Sequence, residues 1–217
     1  MRLGRLGLYC GIVSPIVWLA LIAAAGAARP DFNHVTHYIS ELGERGSATE
    51  AVIRYGAFVF TGSLYVCFAG ALLTTFRSGW MQAIAALLIA LDGIGRMGAG
   101  VFPCDPGCIQ ISTGPNFHKI FATIGFCSGI LAALLWAPIW RGIPSLRRLS
   151  TFSAASGAAA LVSLLLMSLG NPALPAGLFE HLATVVLSVW LLVFAGRLTA
   201  NLPSTASGST LIRPPPS

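Results

Sequence analysis

The stretch GWMQAIAALLIALDGIGRMGAGVF at 79–102 decides the fold. At about 1.5 Å per residue, a helix of this length crosses the roughly 30 Å hydrocarbon core of a bilayer. Its charges are Asp92 and Arg96, one helical turn apart. A helix satisfies its own backbone hydrogen bonds, so it can run through lipid. Gly93-Ile-Gly95-Arg-Met-Gly98 matches the G-x-G-x-x-G dinucleotide fingerprint, but that fingerprint needs a strand before it. Inside an apolar run, the glycines read instead as small residues that let helices approach closely. Gly7-x3-Gly11 and Gly125-x3-Gly129 read the same way.

Five further stretches have the same character, at 7–28, 48–76, 115–139, 149–169 and 176–198. The 217-residue chain is 55% hydrophobic and only 9% charged, with a mean hydropathy of +0.79. Soluble domains carry about 25% charged residues, so this chain cannot cover a soluble surface. That excludes a soluble enzyme, a nucleic-acid-binding domain and a disordered chain. The predicted fold is all-α: a polytopic bundle of six transmembrane helices over 1–200. A Pro/Ser-rich tail at 201–217 follows and is expected to be disordered. The first span begins with Arg2 and Arg5, as a signal peptide does. Its apolar run exceeds the usual signal core, and it is read as a retained helix. Pro15 should kink it. Ser47-Ala-Thr-Glu50 reads as a capping box in which Glu50 reaches back to the Ser47 amide. Pro115 suits the first position of the fourth helix, and Gly170-Asn171-Pro172 ends the fifth.

Arginine placement sets the orientation. Arg2, Arg5, Arg77, Arg141, Arg147, Arg148, Arg197 and Arg213 fall on one side, with no acid beside them. The positive-inside rule makes that side, and both termini, cytoplasmic. The location implied is the plasma (cytoplasmic) membrane. Arg29, Arg45, Arg54 and Lys119 fall outside, together with Asp31, Glu41, Glu44, Glu50, Asp105, Glu180 and all four histidines. Topology does not require the histidines to gather there.

The first outer loop reads His34-Val-Thr-His37-Tyr-Ile-Ser40-Glu41-Leu-Gly43-Glu44. A helix over 34–42 would put His34, His37 and Glu41 on one face. Two imidazoles and a carboxylate there could bind a divalent metal such as zinc; the plainer reading is an amphipathic stretch on the membrane surface. In the second outer loop, Cys104 and Cys108 flank Asp105-Pro-Gly, and a disulfide is the leading expectation. His118 opens the fourth helix, and Glu180-His181 begin the sixth, so all could meet over the mouth of the bundle. Asp92 and Arg96 pair along one helix or line a polar cavity.

Five segments, in order, carry a resemblance. They are Pro15, Tyr38-Ile-Ser40-Glu41-Leu-Gly43, Gly100-Val-Phe102-Pro103-Cys104-Asp105, His118, and Gly177-Leu-Phe-Glu180. Over roughly 5–200 the chain resembles the bacterial and archaeal membrane family catalogued as domain of unknown function 998. It departs from the family at His181, where arginine is usual. The resemblance implies a six-helix bundle and supports Ser40, Asp105 and His118 as positions to test. It brings no established activity.

Three functions fit these residues. One is a metal-dependent hydrolase of a lipid ester or amide. In it His37, Asp105 and His118 hold the metal with His34 or Glu41, and Ser40 positions water or substrate. Another is a small-solute or proton-linked carrier using Asp92 and Arg96. The third is a structural or accessory protein whose outer loops bind a partner or a second copy. A haem held by two histidines is a lesser expectation. The orientation predicts that alkaline phosphatase fused in the 103–114 loop is active and that the same enzyme fused after 201 is inactive. The reverse pattern contradicts it.

Overall fold

The computed structural model describes residues 2–76, 79–109, 116–171 and 173–201. Within them six helices are long and apolar enough to cross a membrane. They are α1 (Arg2–Ala28), α2 (Thr61–Thr75, continuing a π-helical segment Val52–Phe60), α3 (Trp80–Val101), α4 (Phe117–Arg141), α5 (Leu149–Ser168) and α6 (Ala176–Asn201). Each packs on the next, and α6 closes back on α1, giving an up-and-down ring. An even number of spans brings the start of α1 and the end of α6 to one face and leaves the segments 29–51 and 102–109 on the other. Large apolar side chains such as Trp80, Leu87, Leu131, Val162 and Leu165 point outward, where lipid replaces water.

The interior has two apolar clusters. One, centred on Phe68, Trp136, Trp140 and Phe194, fills the half near the termini. The other, with Trp18, Ile22, Ile39, Leu42, Ile53 and Phe58, lies under the loops. Arg96 sits where they meet, its guanidinium 4.6 Å from the ring centres of both Trp18 and Tyr65.

Apolar attraction between helices is weak in lipid, so close backbone contact carries the packing. A Cβ on Gly95 would stand 2.5 Å from the Gly125 nitrogen and 2.6 Å from its Cα, so α3 and α4 touch backbone to backbone there. A Cβ on Gly129 would stand 2.7 Å from the Asp92 carboxylate, so this glycine makes room for a buried acid. The glycine spacing noted above thus acts as helix-packing surface.

Two local expectations change. The first loop forms no helix over 34–42; only Ile39–Gly43 is helical, as a 3-10 turn. Asn33 is the reason: its Oδ1 accepts from the Val35 amide and its carbonyl accepts from Thr36 and His37, holding the chain in turns. Glu50 reaches the Gly46 amide at 2.8 Å rather than that of Ser47, whose hydroxyl donates to Leu42. That amide and Arg54 hold the Glu50 carboxyl below its ordinary range. The cap of α4 is Asn116, whose Oδ1 accepts from the Lys119 amide at 2.9 Å. The expectations for Pro115, Pro172, Arg77 and the 202–217 tail lie outside the described residues.

Gly95→Leu should lower the thermal unfolding midpoint of the detergent-purified protein by several degrees. Gly196→Leu, where a Cβ meets nothing within 4 Å, should leave it unchanged. Equal effects would contradict the packing described.

Candidate functional site

The site grows from the loop-face end of α3. The last carbonyls of a helix have no partner within it. Arg54 donates from Nε to Gly100 at 2.9 Å and from Nη2 to Val101 at 3.1 Å, placing positive charge at a helix C-terminus. His118, from the first turn of α4, turns its Nδ1 to the carbonyls of Ala99 (3.0 Å) and Phe102 (2.9 Å). Carbonyl oxygens only accept, so Nδ1 carries the hydrogen. The other ring nitrogen, Nε2, lies 2.9 Å from the Ser40 hydroxyl. Ser40 and His118 are each 9% exposed.

Ser40 sits in the 3-10 turn, which is fixed from several sides. Arg29 donates to the Glu41 carbonyl at 2.7 Å and pairs with Asp31 and Glu44. Hydrogen bonding from Arg29 holds the Asp31 carboxyl below its ordinary range. Glu180 of α6 accepts from the Ile39 amide at 2.7 Å, and the Leu178 amide donates to Val35. Burial, then the nearby Glu180 and Glu41 charges, push the Tyr38 phenol up. The second loop docks alongside: the Arg45 amide donates to the Cys104 carbonyl and the Gly107 amide to Glu44. Cys104 and Cys108 are joined by a disulfide, with Cys104 Sγ 3.6 Å from the Ser40 carbonyl oxygen.

A cavity of about 40 Å³ has Ser40 in its wall and reaches toward the middle of the bundle. Ser40, Trp18, Glu180, Arg96 and Asp92 are among its walls. Asp92 accepts from Arg96 Nε at 2.9 Å, and both are nearly fully buried. Buried charges in a bundle interior need such a partner. The cavity exceeds the roughly 10–15 Å³ that a single water requires and is polar at several points.

The structure brings Ser40 and His118 into contact and sets Glu180 and the Asp92–Arg96 pair around the same cavity. The other candidates point elsewhere. Glu41 folds back to accept from the Tyr38 amide at 2.8 Å. Asp105 lies 3.5 Å from Arg45. His37 Nδ1 accepts from the Asn33 amide at 3.0 Å. His34 and His181 meet each other, Nδ1 to Nε2, at 2.8 Å, while His181 Nδ1 donates to the Gly177 carbonyl.

The expected zinc site at His37, Asp105 and His118 is therefore corrected. Among the described residues no three of His, Cys, Asp and Glu gather to hold a metal ion. Each ring nitrogen named above already faces a backbone group, a hydroxyl or another histidine. Trp18 and Thr184 also line the cavity and were not foreseen. Nothing in one apolar span marks a tryptophan as facing a cavity rather than lipid.

No curated protein and no solved structure matches the chain. A family model described as a protein of unknown function (DUF998) matches residues 12–197, nearly the whole bundle and every residue of the site above. The chain is a multi-pass, all-α membrane protein and belongs to the DUF998 family, whose function is unknown.

Proposed function

We propose that the loop face of this bundle is a metal-independent hydrolytic site for an ester or amide of a membrane lipid. Ser40 is the nucleophile and His118 the general base. By the arginine asymmetry the site faces the extracytoplasmic side of the plasma membrane. The observation that carries the reading is the double use of His118. Two carbonyls fix its Nδ1–H, which leaves the Nε2 lone pair directed at Ser40 Oγ, 2.9 Å away. Nucleophile, base and a group that orients the base are the parts that acyl transfer requires.

In this reaction Ser40 Oγ attacks the acyl carbon while its proton passes to His118 Nε2. The tetrahedral intermediate collapses, the bond to the leaving oxygen or nitrogen breaks, and His118 returns the proton to that group. Water then attacks the Ser40 ester, again giving its proton to His118. The carboxylic acid leaves, and Ser40 is restored with its proton. Carbonyls orient the imidazole but bear no full negative charge, so this base is weaker than one backed by a carboxylate.

A carrier reading draws on one specific observation, that the same cavity reaches Asp92. It makes Asp92, not Ser40, the indispensable residue.

Long-chain alkyl fluorophosphonate should modify Ser40 in the detergent-purified protein, as read by peptide mass spectrometry. Hydrolysis of a long-chain nitrophenyl ester should fall by about 100-fold or more in Ser40→Ala and His118→Ala. Ser40→Ala removes one hydroxyl and should stay folded, whereas His118→Ala also uncaps α3. A folded wild-type protein that is neither modified nor active contradicts the reading.

A further inference from the structure

The Cys104–Cys108 bridge joins two residues in unlike settings. Cys104 is 6% exposed and packs against the first loop. Its carbonyl accepts from the Arg45 amide at 3.1 Å, and its sulfur lies 3.6 Å from the Ser40 carbonyl oxygen. Cys108 is half-buried and ends the short 3-10 turn Pro106–Cys108, none of whose residues is buried. Its backbone is left-handed, with a φ of 52°, and that of Gly107 before it is left-handed as well. Glycine takes this conformation freely. A residue with a Cβ holds it at a cost, and only where its surroundings impose it. Here the Cys108 amide donates to the Asp105 carbonyl at 2.8 Å, and the bridge ties down the side chain.

A bridge kept for stability alone does not account for this arrangement. Its cysteines are four positions apart. A cross-link restrains the unfolded chain more as the loop it closes grows, so this short loop contributes little. Opening the bridge, by contrast, frees the Cys108 backbone to leave the left-handed region. The reduced form also has an acceptor waiting. A disulfide sulfur carries no hydrogen, so the approach of Cys104 Sγ to the Ser40 carbonyl is no hydrogen bond in the oxidised protein. As a thiol, Cys104 would donate to that oxygen from where it stands.

We infer that Cys104–Cys108 is a thiol–disulfide exchange site, opened by a small aqueous thiol that attacks Cys108. Such exchange does not depend on the Ser40–His118 reading. In the first step the thiol gives its proton to water and its sulfur bonds to Cys108 Sγ. The bond between the two protein sulfurs breaks, and its electron pair goes to Cys104 Sγ. Cys104 takes up a proton and donates to the Ser40 carbonyl. A second thiolate then attacks the small molecule's sulfur in the mixed disulfide, and Cys108 leaves as a thiolate. Two small thiols are oxidised to one disulfide, and the protein bridge is reduced. The more exposed sulfur is the one attacked, because access governs exchange. The site is wired to the first loop. The Gly107 amide donates to Glu44, Glu44 pairs with Arg29, and Arg29 donates to the Glu41 carbonyl next to Ser40.

The test incubates the folded, detergent-purified protein with millimolar reduced glutathione. Acid quenching and peptide mass spectrometry then locate thiols and adducts, while circular dichroism follows the fold. The bridge should open with the helices intact, and the early adduct should carry glutathione on Cys108. Single-cysteine variants give the direction separately. With oxidised glutathione, Cys108 in Cys104→Ala should react about 10-fold or more faster than Cys104 in Cys108→Ala. A bridge that stays closed in the folded protein and opens only on denaturation overturns the inference. Glutathione chiefly on Cys104, or equal rates in the two variants, overturns it as well. Should a variant fail to fold, the wild-type adduct decides; where no adduct accumulates, the variant rates decide.

Discussion

The carbonyls that end α3 must find hydrogen-bond donors outside their own helix. Arg54 supplies them to Gly100 and Val101, and His118 supplies one to Ala99 and Phe102. That constraint sets the position of the fourth helix, the orientation of the imidazole and the identity of its hydrogen-bearing nitrogen. The 3-10 turn then needs only to bring Ser40 to the free side of the ring. Arg29, just after α1, and Glu180 of α6 hold it there by gripping its backbone. A structural duty and a chemical opportunity thus fall on the two nitrogens of one histidine.

A second constraint acts a turn deeper. Asp92 and Arg96 would be costly in the bundle interior if either stood alone. Their pairing, the aromatic rings of Trp18 and Tyr65 against the guanidinium, and the bare Gly129 backbone beside Asp92 make the layer tolerable. The layer lies between two apolar clusters and borders a small, mostly apolar cavity with polar side chains at several points of its wall. The glycines that permit close helix contact and the cavity that holds the polar groups are therefore parts of one arrangement.

The helices were legible because hydropathy over about 20 residues is a strong signal. The gathering of polar residues on one face followed from the order of spans and loops. What could not be read was how the loops fold back. Spacing of His34, His37 and Glu41 implied a metal face only if 34–42 were helical, and the Asn33 turn removes that premise. Ile39 meets Glu180, and His118 meets Ser40, across sequence gaps that no local pattern encodes. Trp18 looked like any apolar residue of a span, and only the fold places it against Arg96 in the cavity wall. The resemblance was legible from short polar segments, and the family match covers them.

The most direct measurement is the protonation of each ring nitrogen of His118, by nitrogen-15 NMR of histidine-labelled protein at neutral pH with His118→Gln to assign the signal. Hydrogen on Nδ1 and a bare Nε2 that accepts from Ser40 are expected. Hydrogen on Nε2, in either the opposite tautomer or a stable imidazolium, would make His118 a staple that donates to Ser40 and would contradict its role as a base.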